Sequence, residues 1–418
     1  MTDPRPPVDQ EGPPSSGDGD LPSWAAGSPT ARRDHRRPGW TGVVAIGAGA
    51  AVLSSLLTVG AYEAFGSVTG APSATSSSQA APLVSGGSST SNWVATAAAV
   101  APSVVSVKVQ ASDGSGDQGS GVILDTQGRI LTNNHVVATV GSGDSLSVAL
   151  SDGRTFSASV VGTDPATDLA VLKLNNPPAG LKPATFADSS RVKVGDAVMA
   201  IGNPLGLSDT VTTGIVSALN RPVNTGSPSE QQPQGPSGSA QPQGEQVVTS
   251  AIQTDASINP GNSGGALVDS GGRVIGITSS IASLSSSGST QAGSIGLGFA
   301  IPANEAKDVA TQLIATGTVK HAFLGVSLTD DMASVGGGAQ RQAAVIGAVT
   351  SGGPAAKAGL QANDAIIALN GQFIDGADSL VAQVRALHPG TSVTLTIVRG
   401  GQQQNVPLTL AVRPADAG

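Results

Sequence analysis

The 418 residues carry 21 Lys and Arg against 29 Asp and Glu, a formal net charge of −8, and no cysteine. The absence of cysteine excludes disulfides, thiolate zinc sites and a cysteine nucleophile, and the acidic balance gives no reason to expect nucleic-acid binding. Charged residues make up 12% and aromatics 2% while glycine reaches 56, a composition that suits a β-rich protein with many turns, in about two or three domains.

Residues 1–37 are rich in Pro, Gly, Ser and Asp and close with Arg32, Arg33, Arg36 and Arg37. They read as a disordered tail. Residues 38–62 then carry no charge before Glu63, long enough for the roughly 20 apolar residues that span a bilayer. Trp40 and Tyr62 stand near the two ends, where amphipathic rings favour the interface. The arginines place the amino terminus in the cytoplasm by the positive-inside rule. A single-pass membrane anchor is therefore expected at 38–62, with everything after it extracytoplasmic. Residues 63–94 are mostly Ser, Gly, Ala and Thr, a flexible linker.

From residue 95 the pattern changes to short apolar or alternating runs separated by turns. Examples are Val104–Val109, Gly121–Leu124, Leu146–Leu150, Leu169–Leu174, Ala197–Ile201, Val211–Leu219 and Val274–Ile281. Regular short strands of this kind predict a β-barrel or sandwich domain over 95–318. Residues 222–246, a stretch of Pro, Gln, Gly and Ser, interrupt it and read as a surface insertion. A helix is expected around Ala303–Ala315, with Val309, Leu313 and Ile314 on one side. Beyond it, 319–414 form a smaller α+β unit. Its strands are expected at Phe323–Leu328, Ala344–Val349, Ala365–Leu369, Val393–Val398 and Val406–Val412, and its short helices at Pro354–Lys357 and Ala377–Leu387.

Chemistry concentrates in three stretches. In Asn259-Pro260-Gly261-Asn262-Ser263-Gly264-Gly265, glycines and a proline crowd one serine, which suggests a loop bent to present a hydroxyl. Gly261 precedes Ser263 at the spacing that lets two backbone N–H groups converge on one oxyanion. A serine needs a base, and His135, in Thr132-Asn133-Asn134-His135-Val136-Val137, stands upstream. Asp164 and Asp168 compete for the acid's place. Asp164-Pro165 reads as turn chemistry, whereas Asp168 opens the apolar run Leu169–Leu172 and is carried inward, where a carboxylate needs a partner. The Gly-x-Ser-x-Gly spacing also fits α/β-hydrolases, but those run Ser, acid, His. Here the order is His135, Asp168, Ser263, the order of chymotrypsin-type proteases.

The nucleophile loop and the histidine segment resemble those of the HtrA/Deg family of trypsin-like serine proteases. So do Gly162-Thr163-Asp164-Pro165, Ala200-Ile201-Gly202-Asn203-Pro204-Leu205-Gly206 and Gly298-Phe299-Ala300-Ile301-Pro302. Phe323-Leu324-Gly325-Val326 and Gly359–Ile367 resemble the peptide-binding loop and central turn of a PDZ domain. The resemblance covers about 95–414. It implies a mostly β protein: a chymotrypsin-like double β-barrel followed by an α+β PDZ domain, preceded here by one transmembrane helix.

The resemblance further implies catalysis by His135, Asp168 and Ser263, with Gly261 and Ser263 as the oxyanion hole and no metal or cofactor. A substrate pocket would involve Ser257 and Gly298. Neither Ser257 nor the Gly296–Ala300 segment supplies an Asp, which points to aliphatic residues rather than Lys or Arg. A groove at Phe323, Leu324, Gly325 and Val326 would take carboxyl-terminal peptides. Unfolded, misfolded or specific envelope proteins are the implied substrates, a homotrimer the implied assembly, and quality control outside the cytoplasm the implied role. The competing expectation is a catalytically weak PDZ-containing chaperone or binding protein.

Overall fold

The computed structural model describes residues 92–414, apart from 113, 142, 205–209, 225–247 and 280–295. The expected tail (1–37), anchor (38–62) and most of the linker lie outside the described residues, as do 225–246 of the expected insertion. Among the described residues no helix is long and apolar enough to cross a membrane.

The described chain opens with helix α1 (Trp93–Val100), capped by Asn92, whose side chain accepts from Ala95 N. Six strands follow: β1 (Val104–Gln110), β2 (Gln118–Ile123), β3 (Arg129–Asn133), β4 (Ser145–Ala149), β5 (Thr155–Asp164) and β6 (Leu169–Leu174), with the single-turn helix α2 (Asn134–Val137) after β3. They close into an antiparallel barrel in the order β1-β2-β3-β6-β5-β4. A second closed barrel, ordered β10-β11-β12-β9-β8-β7, is built from β7 (Ala197–Gly202), β8 (Thr210–Asn224), β9 (Val248–Thr254), β10 (Ala266–Asp269), β11 (Val274–Ser279) and β12 (Gly298–Pro302).

Three apolar cores explain why several of these strands read as continuous apolar runs rather than clean alternations. Neighbouring residues face different cores. Val105, Val107, Ile130 and Leu172 fill the first barrel, and Val198, Ile252, Leu267 and Ile275 fill the second. Val104, Leu131, Leu169 and Val171 instead join Met199, Ile201, Val268 and Ile277 in a third core shared by the two barrels. Helix α3 (Ala303–Thr316) seals that core with Ala306, Val309, Ala310 and Leu313. Gly317 ends it in the left-handed region (φ +73°), its N–H returning to Leu313 O, an ending that favours glycine.

The remaining chain adds β13 (Ala322–Phe323), β14 (Val326–Gly336), β15 (Ala339–Val349), helix α4 (Pro354–Lys357), β16 (Ala365–Leu369), β17 (Gln372–Phe373), helix α5 (Ala377–Arg385), β18 (Ser392–Arg399), β19 (Gln402–Thr409) and β20 (Ala411–Val412). The main sheet runs β14-β15-β16-β18-β19, so β14 is an edge, and β13 pairs separately with β20. Ala344, Ile346, Ile366, Leu380, Leu395 and Ile397 are central to its core.

Three expectations are corrected here. The strand expected over Phe323–Leu328 breaks at Leu324–Gly325, because Gly325 sits at φ +82° and no ladder continues through that conformation. The last expected strand divides at Leu410, whose N–H is drawn to Thr391 O. The interruption expected from 222 begins later. Pro222 and Val223 remain in β8, paired with Ser250 and Thr249 of β9.

Candidate active site

His135 is delivered by the end of β3. Leu131, Thr132 and Asn133 are buried, the chain turns into α2, and Val136 and Val137 anchor that turn in the barrel core. The His135 side chain stays 28% exposed, and its Nδ1 lies 2.9 and 3.0 Å from the two oxygens of Asp168, which is 4% exposed. Asp168 Oδ1 also accepts the backbone N–H of His135 at 3.0 Å. A carboxylate gripping Nδ1–H fixes the tautomer that leaves Nε2 as a base.

Asp168 ends the turn between β5 and β6 with φ +56°, a conformation costing a non-glycine residue roughly 1–3 kcal/mol. Three hydrogen bonds hold it there. Its N–H reaches Pro165 O at 3.3 Å, and its carbonyl accepts from Asn134 N at 3.0 Å and from Asn133 Nδ2 at 2.9 Å. The β3–α2 corner that carries His135 therefore also clamps the backbone of its partner.

Ser263 follows a turn that Asn262 N closes on Asn259 O at 3.0 Å, with Pro260 and Gly261 at its corner. Gly261 takes φ +93°, as the third position of a type II turn requires. Its carbonyl accepts from Ser120 Oγ at 2.7 Å, and Ser120 Oγ accepts from Asn203 N at 2.9 Å. Ser120 N donates to Ser263 O at 2.7 Å, so β2 of the first barrel holds the serine loop of the second. The histidine is close by: a Cβ at Gly119 would lie 2.7 Å from a Val136 methyl and 3.0 Å from Ser263 O. Gly264, at φ +83°, likewise presses against Ser120 O and Thr132 Oγ1. Asn262 is buried with neither side-chain polar atom partnered, a departure from the rule that buried polar groups are hydrogen-bonded.

The structure thus brings His135, Asp168 and Ser263 to one seam between the barrels, with Gly261 beside them. Gly298 packs against the two residues that flank Ser257. A Cβ at Gly298 would stand 2.8 Å from Ala256 O and 2.9 Å from Ile258 Cδ1, and Ser257 O is fixed by Thr212 Oγ1 at 2.8 Å. A carboxylate-held imidazole beside a serine loop is an arrangement that can polarise a serine hydroxyl.

Phe323, Leu324, Gly325 and Val326 line a groove of about 240 Å³ with Leu328, Leu380 and Val384. It lies beside β14, whose outer edge can accept an added strand.

Sequence reasoning missed a second histidine–carboxylate pair. His321 Nε2 lies 2.8 Å from Asp164 Oδ1, with side chains 12% and 6% exposed. The signal was a second acid in the turn that carries Asp168, in a chain with only 4 histidines.

Comparisons with known proteins identify both domains. A trypsin-like peptidase domain matches residues 119–277 and a PDZ domain matches 322–410. A solved structure of the HtrA-type protease AlgW with a decapeptide is 32% identical, with a TM-score of 0.52, covering 77% of this chain and 99% of that one. The chain belongs to the HtrA-type proteases. AlgW with a tripeptide gives 34% identity and a TM-score of 0.54, covering 78% and 99% of the two chains. Among curated relatives of this HtrA-type chain, serine protease PepD of Mycobacterium tuberculosis is 44% identical over 75% of this chain and 65% of its own length. Periplasmic serine endoprotease DegP of Escherichia coli K12 is 42% identical over 72% and 60%. The chain therefore spans somewhat less than two thirds of the length of these relatives.

Proposed function

We propose that this chain is a serine endopeptidase acting on unfolded or specific envelope proteins outside the cytoplasm. The observation that carries the reading is the Asp168–His135 pair beside the strapped Ser263 loop. Asp168 holds Nδ1–H, His135 Nε2 takes the Ser263 proton, and the hydroxyl oxygen attacks the scissile carbonyl. The N–H groups of Gly261 and Ser263 receive the oxyanion, each donor being worth about 3 kcal/mol in such sites. The proton returns to the leaving amine, and water then hydrolyses the acyl-enzyme by the same relay.

Gly298 packed on Ile258 supports a narrow pocket for aliphatic side chains. The groove beside β14 supports binding of carboxyl-terminal peptides as regulators, a reading favoured by relatives solved with peptides. The uncharged run 38–62 supports a single-pass anchor with a cytoplasmic amino terminus, and kinship with periplasmic endoproteases supports the extracytoplasmic location. A homotrimer is proposed on the family resemblance alone. The protease spans 95–318 and the peptide-binding domain 319–414.

The test is casein degradation by the wild type and by Ser263→Ala, with and without a decapeptide ending in Leu-Val-Val. The reading expects turnover that the mutation lowers by a factor on the order of 10⁶. Wild-type silence under both conditions would overturn it in favour of a binding protein.

A further inference from the structure

One residue of β2 is shared by several segments of the site. Ser120 is fully buried. Its Oγ donates to Gly261 O at 2.7 Å and accepts from Asn203 N at 2.9 Å. Its backbone is engaged as well. Ser120 N donates to Ser263 O at 2.7 Å, and Ser120 O accepts from Thr132 Oγ1 at 2.7 Å, in the segment that leads to His135.

The two hydroxyl bonds hold Gly261 from different sides. With no side chain, Gly261 does little to restrict its own peptide planes, so contacts from outside must fix them. The plane it shares with Asn262 is held at both edges: its oxygen by Ser120 Oγ, and its N–H by Asn259 O. The Cα of Gly261 rests on Pro204, since a Cβ there would lie 2.6 Å from Pro204 Cβ. Pro204 follows Asn203, whose N–H the same hydroxyl binds. Bare backbone makes room for that hydroxyl, because a Cβ at Gly202 would stand 2.9 Å from Ser120 Oγ. Replacing the hydroxyl by hydrogen therefore loosens the carbonyl of Gly261 and the segment packed on its Cα together.

We propose that Ser120 is a positioning residue for the oxyanion donor, its hydroxyl setting the direction of the Gly261 N–H through the Gly261 carbonyl and the Asn203–Pro204 segment. This rests on the protease reading and names the side chain that fixes its oxyanion site. The charge that Gly261 N–H receives develops only as the scissile carbonyl becomes tetrahedral. A misdirected donor therefore costs turnover rather than substrate binding.

The experiment uses the full chain as wild type, Ser120→Ala and Ser120→Cys, the last filling the hydroxyl's place with a weak donor and acceptor. Cleavage of a fluorogenic peptide is measured with the Leu-Val-Val decapeptide present throughout. Inhibition by a peptide boronate of the same sequence is measured alongside, because its tetrahedral serine adduct places an oxygen where the oxyanion forms. Ser120→Ala should lower kcat about 30-fold, short of the roughly 10²–10³ lost when such a donor is removed outright. KM should be unchanged and boronate affinity lowered by the same factor. Ser120→Cys should lose about tenfold in both, since a thiol bonds more weakly than a hydroxyl. Wild-type kcat in either variant would overturn the proposal, as would a kcat loss with unchanged boronate affinity.

Should Ser120→Ala fail to fold, Ser120→Cys decides by the same two readouts. Should the wild type prove inactive, the protease reading falls, and amide hydrogen exchange across 259–265 and at Asn203 still decides the hold. Faster exchange confined to those residues in the Ser120 variants supports the positioning role, and unchanged exchange removes it.

Discussion

Glu305 offers a quantitative test of the structure. It stands in the first turn of α3, where the helix dipole favours an anion by about 0.3–1 kcal/mol. It is nevertheless 6% exposed, and Oε2 has no hydrogen-bond partner. Burial, assisted by the Asp164 and Asp308 carboxylates and opposed by Arg385, pushes its carboxyl from the ordinary 4.5 to about 8. Desolvation outweighs the dipole. A carboxyl whose folded value is raised contributes stability that is complete below its unfolded value and lost as pH rises through the folded one. Stability should therefore fall from about pH 4.5 to about pH 8. At about 1.4 kcal/mol per pH unit over that interval the upper bound is on the order of 5 kcal/mol. Relaxation and water entry make about 2–4 kcal/mol the expected loss. Glu305→Gln keeps the shape and removes the ionisation. Urea unfolding at pH 5, 6.5 and 8.5 should show the wild type losing stability relative to the variant as pH rises. Parallel pH profiles for the two proteins would refute the reasoning.

Other consequences follow from the same structure. Asp168→Asn should lower kcat by about 10⁴ with little change in melting temperature, because the amide no longer fixes the His135 tautomer; peptide cleavage kinetics would read it. Gly298→Val should lower kcat/KM by about 10- to 100-fold, since the new side chain meets Ala256 O and Ile258 at an overpacking cost of about 1–3 kcal/mol. A substrate panel should show its largest losses at the bulkiest aliphatic residues. Arg399 binds both oxygens of the buried Asp364 at 2.6 Å, and this pairing raises its own pKa. Arg399→Ala should therefore lower the melting temperature of the peptide-binding unit, and Arg399→Lys should restore only part of it, because lysine lacks the two-pronged geometry.

The residues most legible in the sequence were those whose neighbours in the chain explain them. Leu169–Leu174 and Pro354–Lys357 are observed with the expected bounds, the first an apolar run and the second a proline-opened turn of helix. His135, Asp168 and Ser263, which the fold brings to one seam, each stood out in the sequence through its own local pattern. The hairpin of β14 and β15 extends beyond the expected strands because Asp330, Asp331, Gln340 and Arg341 are polar, and the ladder between the two strands holds them rather than a core. β5 was not singled out for the same reason, with most of its side chains at least partly exposed. His321 has no local signal at all. Its partner lies 157 residues away, and only the folded chain brings a residue that introduces the PDZ unit against the turn that carries Asp168.

The most direct measurement is covalent labelling of the full chain with a fluorophosphonate probe, in the presence of the Leu-Val-Val decapeptide, followed by peptide mapping. The account predicts one phosphonyl adduct, on Ser263, that disappears in His135→Ala. No adduct, or an adduct on another serine that survives His135→Ala, would contradict it.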